Sequence, residues 1–380
     1  MTSDMPRAAV FTGQFLAYSQ TFIYQGLRHH SRYQAEVFCW RRVNEAQFPY
    51  SPVHLGGRLY HYTRYSPQFD ARFRSQHYAV VHAHFGTVGI SAMRYARKFA
   101  RPLIVTFHGR DVPLLTSWKR FKPRHWGYAA LSRRMLRQMA LGLCDSGELR
   151  DMLIDFGVSS GCLRVFPLGI DLGRFEVGDH DRTGQRVIMI GRFVEKKGFE
   201  YGLRAFAQVA KGSGMELRVI GGGEREGKLR RLAADLGVLG QVRFMGVLPY
   251  ERVATELAGS DVLLAPSVVA ADGDRDSGLM VVKEAGAAGV VPIGTRHGGI
   301  PEIIEDGSTG FLVPERDVDA IADRLRTLTS NHGLRRTMAQ AARETAAAQF
   351  DVRKRVAALE DIYDEVAASF AAKAEQRGVP

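Results

Sequence analysis

The sequence is poor in the features that mark a membrane-spanning or secreted protein. Across 380 residues, no apolar run reaches the ~18 residues that a transmembrane helix needs. The first 15 residues lack a long apolar segment with a small-residue cleavage site, so we expect no secretory signal. The three cysteines, Cys39, Cys144 and Cys162, fit no CxxC or zinc-binding spacing. We therefore expect a soluble, cytoplasmic protein with unpaired thiols.

Other missing patterns argue against further classes of protein. No GxGxxG motif with a later ribose-binding acid follows the first apolar run, which argues against a nicotinamide-dependent dehydrogenase. There is no internal repeat and no low-complexity tract. The 45% hydrophobic and 24% charged residues are an ordinary globular balance. At ~100–200 residues per domain, the length predicts two domains.

Positive charge is concentrated in the first part of the chain. Residues 1–175 contain 24 Lys and Arg against 10 Asp and Glu, whereas the remainder contains 28 against 30. The first part therefore carries +14 and the rest −2 of the total formal charge of +12. This asymmetry indicates an anionic partner, such as nucleic acid, an acidic lipid surface or a phosphate-bearing acceptor. Charge that serves only solubility is the alternative.

Short apolar runs alternate with amphipathic stretches along both halves of the chain. This alternation predicts parallel βαβ units and a doubly wound sheet in each half. The expected strands lie at 7–13, 35–40, 78–86 and 101–109 in the first half, and at 186–191, 215–223, 241–246, 261–267 and 290–295 in the second. Residues 132–158 are expected to form two helices around a short turn.

The same pattern predicts the domain boundaries. We expect an N-terminal Rossmann-like domain at 1–175 and a C-terminal Rossmann-like domain at 176–345, joined by a polar linker at 176–185. Residues 346–380 are Ala-rich and predict C-terminal helices with a break near Phe350.

Two glycine-bearing loops follow predicted strands of the second half. In residues 191–199, Arg192 and Lys197 accompany a strand that feeds a helix, and free backbone N–H groups at a helix start suit a phosphate. A solvated basic turn is the alternative. Glycines 221–223 would let a nucleotide approach the backbone closely, and close packing explains them equally well.

An acidic loop leads into a predicted helix at 280–289. Asp276 and Glu284 are separated by seven residues, and both can accept hydrogen bonds from sugar and ribose hydroxyls. The backbone at Gly278, Leu279 and Met280 would lie at the helix start and suit phosphate. A calcium loop is the alternative, but the glycine and glutamate of an EF-hand are not in frame.

Three histidines follow predicted strands of the first half. His82 and His84 end one strand and His108 ends the next, at the sheet edge where α/β proteins bind ligands. A polar cleft is the favoured interpretation. Structural histidines, or a zinc site built from the three imidazoles, are the alternatives.

Taken together, these segments resemble the retaining glycosyltransferases of family four. The similarity extends over nearly the whole chain, and the signatures follow the family's order. They are residues 19–30, 81–86, 105–112, 165–175, 191–199, 242–248 and 294–317. The resemblance implies a GT-B fold, in which two Rossmann-like doubly wound parallel-sheet domains face each other across a cleft and a C-terminal helix crosses back to the N-terminal domain. The pieces at 19–23 and 82–112 look most like enzymes that build exopolysaccharides and related surface glycans.

The resemblance also implies residue roles. Gly13 would lie against the donor diphosphate, with Gly222 as a further donor-side glycine, and His108 would contact the donor sugar. Arg192 and Lys197 match the pair that neutralises the diphosphate. Glu284 matches the glutamate that holds the ribose. Asp276 stands where the family has its first Glu, a departure that shortens the side chain by one methylene.

The implied activity is transfer of a hexose or amino sugar from a nucleoside-diphosphate sugar to a hydroxyl acceptor, with retention by front-face attack and without a cofactor or metal. A GT-B phosphorylase, a sugar-nucleotide epimerase and an inactive nucleotide-sugar-binding scaffold are the alternatives.

The family binds its acceptor on the basic first half, which here contains an aromatic segment at 116–128. Its cations are Lys119, Arg120, Lys122 and Arg124. With His84, they are the expected acceptor-side residues. Aromatic rings among cations favour peripheral contact with the inner face of an anionic membrane or with a lipid-pyrophosphate-linked acceptor. Nucleic-acid stacking and a plain structural loop are the alternatives, and we expect no nucleic-acid partner.

Overall fold

The computed structural model describes residues 5–17, 20–109, 111–175 and 184–376. The chain divides into two units. The first comprises Met1–Gly169 with Val352–Pro380, and the second comprises Ile170–Asp351. Within the described ranges, no helix is both long enough and apolar enough to cross a membrane.

The first unit is built around a seven-stranded sheet in the order β5-β3-β1-β6-β7-β8-β9, with every neighbouring pair parallel. A separate parallel pair joins β2 to β4. The strands are β1 (Arg7–Phe11), β2 (Gln14–Phe15), β3 (Gln34–Cys39), β4 (Arg41–Arg42), β5 (Val53–Leu55), β6 (Val80–His84), β7 (Leu103–Phe107), β8 (Leu141–Cys144) and β9 (Leu163–Val165). Because the strand order reverses between β1 and β6, the carboxyl ends of these two strands mark the usual ligand crevice of such a sheet.

Helices connect these strands. They are α1 (Thr21–Arg28), α2 (Gly57–Thr63), α3 (Pro67–Ser75), α4 (Gly86–Lys98), α5 (Pro113–Thr116), α6 (Trp126–Gln138) and α7 (Gly147–Asp155). Short 3₁₀ turns at Trp118–Phe121 and Pro123–His125 lie between α5 and α6. The sheet core is aromatic-rich: the Phe11 and Phe38 rings stack at 5.0 Å, and Phe69 meets the Phe38 ring edge-on, also at 5.0 Å.

The second unit contains a six-stranded sheet in the order β12-β11-β10-β13-β14-β15, again parallel throughout. Its strands are β10 (Arg186–Ile190), β11 (Glu216–Ile220), β12 (Val242–Gly246), β13 (Val262–Ala265), β14 (Val291–Thr295) and β15 (Phe311–Val313). Its helices are α8 (Phe199–Ala210), α9 (Glu226–Asp235), α10 (Tyr250–Ala258), α11 (Met280–Ala287), α12 (Val318–Ser330) and α13 (His332–Gln349). This is the Rossmann strand order, with its reversal between β10 and β13.

Helix α8 shows why the sequence forms these layers. Its apolar residues Phe199, Leu203, Phe206 and Ala210 recur at three- and four-residue spacing and are all buried in the core of the second unit. Burying a side chain the size of Leu or Phe contributes roughly 1.5–3 kcal/mol, so this stripe holds the helix on the sheet.

The last helix, α14 (Val352–Gln376), belongs to the first unit. The break between α13 and α14 falls at Phe350 and Asp351, as the sequence predicts. Ile362, Tyr363 and Val366 of α14 lie in the same apolar cluster as β1, β3 and α1. The chain therefore returns to its first unit, and the prediction of two Rossmann-like sheets with a returning C-terminal helix is confirmed.

Two details differ from the expectations. Residues 132–158 were expected to form two helices around a short turn, but strand β8 lies between the two helices, because all four of its residues are buried beside β7. The predicted boundaries at 175/176 and 345/346 lie six residues from the divisions at Gly169/Ile170 and Asp351/Val352. Ile170 and Phe175 pack in the core of the second unit, as does Phe350. Most of the predicted linker, residues 176–183, lies outside the described residues.

A buried carboxylate of α14 holds this helix against the loop that precedes β3. Glu360 is fully buried and accepts hydrogen bonds from the backbone N–H groups of Ser31 (2.9 Å), Arg32 (3.0 Å) and Tyr33 (3.2 Å). The Nδ1 of His30 lies 3.0 Å from the same carboxylate. Burial by itself would raise the pKa of Glu360, but these hydrogen bonds lower it to about 2.

We expect Glu360→Gln to lower the free energy of unfolding by about 3 kcal/mol, because a neutral amide cannot accept from all these donors as a carboxylate does. Asp361→Asn is the control: Asp361 is an exposed neighbour that pairs with Arg32, and its loss should cost under about 1 kcal/mol. Urea denaturation at pH 7 measures both.

The pH dependence follows from the lowered pKa of Glu360. Its contribution is present above the unfolded-state pKa near 4.5 and is lost as the pH falls towards 2. The stability gap between wild type and Glu360→Gln should therefore narrow between pH 5 and pH 2.5. A gap that stays constant over this range would contradict the assignment.

Candidate active site

In the second unit, polar side chains gather beyond the carboxyl ends of the strands on both sides of the order reversal. Arg192 and Lys197 follow β10, and Ser267 and Asp276 follow β13. His297 follows β14. The sheet therefore brings predicted residues from different parts of the sequence to one edge.

The loop after β10 presents two cations in different ways. Arg192 is exposed and forms no ion pair with any described residue. Lys197, which ends a short 3₁₀ turn, places its Nζ 2.7 Å from Oδ2 of Asp276. The loop then closes at Gly198, whose φ of +60° is left-handed, and α8 begins at the next residue.

Asp276 is held from several directions. Besides Lys197, it accepts a hydrogen bond from the Ser267 hydroxyl at 2.9 Å, and Lys196 lies 3.6 Å from its other oxygen. Its backbone N–H donates to Nε2 of His297 at 3.1 Å. Burial would raise the pKa of Asp276, but the charges of Lys197 and Lys196 lower it to about 2. Asp276 is therefore an anion at neutral pH.

A further layer orients the histidine that contacts Asp276. Nδ1 of His297 lies 2.7 Å from Glu315, which also accepts a hydrogen bond from the backbone N–H of Val269 at 2.9 Å. With a carboxylate at Nδ1, the ring carries its proton there and leaves Nε2 as the acceptor for the Asp276 N–H. The Asp276 loop is thereby tied to β14 and β15.

Glu284 has a different environment. It lies in α11 and is buried, and its carboxylate accepts one hydrogen bond from the Tyr250 hydroxyl at 3.1 Å. Burial raises the pKa of Glu284 to about 7, although the Tyr250 hydrogen bond and the charges of Lys283 and Lys197 oppose this. Glu284 therefore titrates near neutrality, unlike Asp276.

The start of α11 is conformationally strained. Leu279 precedes the first helical residue, Met280, and has φ +34° and ψ +48°, a left-handed conformation that costs a branched residue roughly 1–2 kcal/mol. Leu279 is also buried in the core of the second unit, which holds it in this conformation. Gly278 and Leu279 thus lie at the amino end of α11, where backbone N–H groups are unpaired within the helix.

The glycines after β11 are explained by packing. A Cβ at Gly221 would lie 1.9 Å from the carbonyl oxygen of Gly191, and one at Gly223 would lie 2.8 Å from that of Phe193. Gly222, the predicted donor-side glycine, accepts a hydrogen bond from the N–H of Phe193 at 2.9 Å. The loops after β10 and β11 therefore touch through their backbones.

The geometry argues against a calcium loop at 272–276. Lys196 donates to Asp274 at 3.3 Å and to the carbonyl of Arg275 at 2.8 Å. Asp276 also faces ammonium groups. Carboxylates paired in this way already have their positive partners.

In the first unit, the three histidines of β6 and β7 lie close together. Nδ1 of His84 is 3.0 Å from Nε2 of His108, and Nδ1 of His108 is 2.9 Å from Oδ2 of Asp145. His82 is hydrogen-bonded on both sides, through Nδ1 to Tyr363 at 2.6 Å and through Nε2 to Thr106 at 2.7 Å. With both His82 nitrogens engaged, the three imidazoles do not converge on a zinc site.

The remaining predicted residues lie elsewhere in the first unit. Gly13 follows β1, and its carbonyl accepts from the N–H of Trp40 at 3.1 Å. Arg120 lies over the Phe121 ring at 4.7 Å, and Lys122 lies over the Trp118 ring at 4.3 Å. The side chains of Lys119 and Arg124 lie outside the described ones.

Two family models match the chain and together extend over most of it. The model for Glycosyltransferase Family 4 matches residues 21–174, and the model for Glycosyl transferases group 1 matches residues 174–345. The chain belongs to glycosyltransferase family four.

Curated relatives and solved structures agree with this membership. The chain is 30% identical over 275 residues to the putative colanic acid biosynthesis glycosyltransferase WcaL of Salmonella typhimurium, a match that includes 71% of this chain and 66% of WcaL. It is 30% identical over 254 residues to the amylovoran biosynthesis glycosyltransferase AmsK of Erwinia amylovora, including 65% of this chain and 60% of AmsK. The chain thus spans about three fifths to two thirds of these relatives.

Among solved structures, Anabaena Alr3699/HepE in complex with UDP matches with a TM-score of 0.79 at 17% identity, covering 95% of this chain and all of that one. WaaG, a glycosyltransferase involved in lipopolysaccharide biosynthesis, matches with a TM-score of 0.69 at 17% identity, covering 94% of this chain and 99% of WaaG. These likenesses show the GT-B fold, as predicted.

Sequence reasoning did not single out several residues that hold the predicted side chains of each unit in place. They are Lys196, Ser267, Tyr250, His297 and Glu315 in the second unit, and Asp145 in the first. Lys196 could have been found from the sequence, because it is adjacent to Lys197 in the same basic loop. For the others the contacts join distant parts of the chain and leave no local pattern.

The loop at Gly198 offers a sharp test of backbone packing. A Cβ at Gly198 would lie 1.8 Å from the carbonyl oxygen of Pro266. Gly212 is also left-handed, with φ +76°, but a Cβ added there would have no neighbouring atom within 4 Å. We expect Gly212→Ala to cost about 1–2 kcal/mol of unfolding free energy for the backbone conformation alone. Gly198→Ala should cost roughly 1–3 kcal/mol more, because the loops must separate. Denaturant unfolding of both variants measures this, and equal losses would contradict the packing argument.

Proposed function

We propose that this chain is a retaining glycosyltransferase that moves a hexose or amino sugar from a nucleoside-diphosphate sugar to a hydroxyl of a growing surface polysaccharide. One observation carries the proposal: the loop after β10 contains Arg192 and Lys197, and Lys197 lies beside two buried carboxylates, Asp276 and Glu284. Cations beside hydroxyl-binding carboxylates suit a ligand that has both phosphates and sugar rings.

Arg192 and Lys197 are assigned to bind the departing diphosphate. Negative charge grows on this group as the glycosidic bond breaks, and preorganised positive groups stabilise it. Arg192 offers an unpaired guanidinium, and Lys197 offers an ammonium held at a fixed place by Asp276. The strained amino end of α11 at Leu279 and Met280 adds backbone N–H groups. We propose that these groups do the work that a metal does in other transferases.

The two carboxylates are assigned to bind hydroxyl groups of the donor. Glu284 is assigned to the ribose and Asp276 to the transferred sugar, because a carboxylate accepts from two hydroxyls and cannot donate when ionised. Gly13 keeps the donor-side role that the family resemblance implies. Because both ring nitrogens of His108 are engaged, by Asp145 and by His84, its contact with the donor sugar is proposed for the C–H edge of the ring. Retention by front-face attack is part of the proposal.

The acceptor is proposed from the relatives. WcaL is named for colanic acid biosynthesis and AmsK for amylovoran biosynthesis. We propose that this chain likewise extends an exopolysaccharide, with a carbohydrate or a lipid-pyrophosphate-linked glycan as its acceptor.

Donor binding can be tested by thermal shift against UDP-, GDP- and ADP-sugars at pH 8. We expect one class to stabilise the protein by ~2.7 kcal/mol at a hundred times its dissociation constant. Glu284→Ala should abolish the shift, whereas Glu305→Ala, which removes an exposed carboxylate of the same unit, should preserve it. Asp276→Ala should weaken the response to the nucleotide sugar more than the response to the free nucleotide.

The pH dependence of this shift tests the role of Glu284. Ribose hydroxyls donate to the ionised carboxylate, so affinity should fall as the pH drops from 8 to 6 through the Glu284 pKa of about 7. Glu284→Gln should bind weakly at every pH and lose this dependence. The absence of a shift with all three classes would overturn the proposed activity, and binding without turnover would favour a nucleotide-sugar-binding scaffold.

We further propose that the first unit contacts the inner face of an anionic membrane through the segment Trp118–Trp126. Three large rings of this segment are exposed, Trp118 by 54%, Phe121 by 66% and Trp126 by 60%. Arg120 and Lys122 lie over two of these rings and form no ion pair with a described residue. The sequence contains no Asp or Glu between Asp111 and Asp145. Unpaired cations beside exposed rings suit anionic headgroups.

Vesicle binding tests this surface. Replacing Lys119, Arg120, Lys122 and Arg124 with Gln should weaken binding to phosphatidylglycerol vesicles by about a hundredfold or more, since each cation near such a surface contributes ~1 kcal/mol. The control replaces four exposed cations of the second unit, namely Arg204, Lys211, Lys228 and Arg231.

Unchanged binding of the segment variant, or an equal loss in the control, would overturn the membrane proposal. Salt-sensitive binding to single-stranded DNA that exceeds vesicle binding would favour the nucleic-acid alternative.

A further inference from the structure

The side chains of Asp145, His108 and His84, here called the imidazole relay, form a continuous hydrogen-bonded line at the ends of β6, β7 and β8. The Asp145 carboxylate lies 2.9 Å from Nδ1 of His108, and Nε2 of His108 lies 3.0 Å from Nδ1 of His84. The side chains of His108 and Asp145 are only 3% and 1% exposed. The His84 and His108 rings are nearly coplanar in orientation, with an interplanar angle of 15°.

The line allows only a few arrangements of its protons. A carboxylate only accepts, so the His108 ring carries a proton on Nδ1. If His108 is neutral, its Nε2 must accept, and His84 must supply the proton from its own Nδ1. Burial and the neighbouring histidines hold the pKa of His84 well below its usual range, so the outer ring is uncharged. Nε2 of His84 is then left without a proton.

The far end of the relay reaches a cavity. His84 lines a space of about 60 Å³ within the first unit, bounded by α1, α14 and the ends of β1, β6 and β7. Nε2 of His84 has no hydrogen-bond partner among the described residues. A space of this size holds about two water molecules or a hydroxyl-bearing group of similar bulk.

We propose that Asp145 is a positioning residue that fixes the tautomers of His108 and His84 together, so that Nε2 of His84 is a hydrogen-bond acceptor for a hydroxyl group in this cavity. The ligand class that this selects is an alcohol, such as a sugar hydroxyl, or a water molecule that bridges to one. The proposal deepens the glycosyltransferase function and rests on it only for its effect on turnover.

A second observation supports the proposal. Oδ1 of Asp145 is buried and has no hydrogen-bond partner among the described residues, so this carboxylate is not held by a second donor. Its contact with His108 is the one that orients it. Asp111, near the same strand ends, is engaged differently: its Oδ2 accepts from the N–H of Gly86 at the start of α4. Asp145 therefore contacts the imidazole relay, whereas Asp111 caps the start of α4.

The test reads the tautomers directly. Long-range ¹H–¹⁵N correlation spectra of the ¹⁵N-labelled protein without substrate report which ring nitrogen of each histidine carries its proton. The His84 and His108 signals are assigned through single His→Gln variants. In the wild-type protein we expect both rings to be protonated on Nδ1 alone. The wild-type measurement stands even if an Asp145 variant fails to fold.

Variants at Asp145 then test the coupling. Asp145→Leu removes the acceptor at nearly constant size, and we expect both rings to switch together to the Nε2 proton. Asp145→Asn retains a carbonyl oxygen that accepts from Nδ1 and should restore the wild-type pattern. Asp151→Leu, at an exposed aspartate of α7, is the control and should change neither ring.

Turnover supplies the second readout. With UDP-glucose or GDP-mannose, whichever the wild type consumes, Asp145→Leu should lower kcat about tenfold or more with little change in KM, and Asp145→Asn should recover most of it. His84 protonated on Nε2 in the wild type, or no switch in a folded Asp145→Leu, would overturn the relay. Tautomers that switch while kcat stays constant would overturn its role in positioning.

These results are separable from the proposed function. A protein that binds no nucleotide sugar would fail the thermal-shift screen and still give a decisive spectrum for His84 and His108.

Discussion

A carboxylate that is removed from water must be surrounded by cations or hydrogen-bond donors, and this demand shapes both units of the chain. Glu36 is fully buried and is met by Arg7, Arg72 and the Tyr78 hydroxyl. Glu360 is satisfied by three consecutive backbone N–H groups, which fixes the last helix to a loop more than 300 residues away. Because each cluster joins distant segments, the loss of one carboxylate removes contacts on several elements at once.

Glu284 does not follow this pattern. It has one hydrogen bond, from Tyr250, and no ion pair with a described residue, and its pKa is raised to about 7. The folded chain loses stability as the pH rises from about 4.5 to about 7, because the folded state keeps a proton there that the unfolded state has already released. Above pH 7 the buried carboxylate is ionised in the folded state and the full cost applies. A ligand that donates hydroxyl hydrogens to the carboxylate would relieve this cost. Groups with strongly shifted pKa values concentrate at functional sites. Glu284 has such a pKa and also lies near Lys197.

The sequence predicted what depends on local pattern and missed what depends on distant contact. The parallel sheets follow from alternating strands and helices. Arg192, Lys197, Asp276 and Glu284 could be proposed as site residues because each lies in a loop after a predicted strand or in the helix that follows such a loop. Strand β8 was missed because it is only four residues long and lies between two helices, α6 and α7. Asp145 and His297 were missed because their contacts to His108 and Asp276 join residues 37 and 21 positions apart.

The shortened side chain at 276 is compatible with donor binding because of the partner that holds it. An ammonium has three N–H donors, and Lys197 directs one of them at Asp276 at 2.7 Å. Two remain for phosphate oxygens, so Lys197 can join Asp276 to a diphosphate without breaking the existing ion pair. An arginine in place of Lys197 would present its donors in one plane, so it could less easily donate to Asp276 and to the phosphates at the same time. Arg192 has no ion pair to a described residue, so in the proposed complex its full set of donors would be available to the phosphates. In the proposed complex, Asp276 would hold Lys197 in place for the diphosphate, and its missing methylene would leave more room for the transferred sugar beside it.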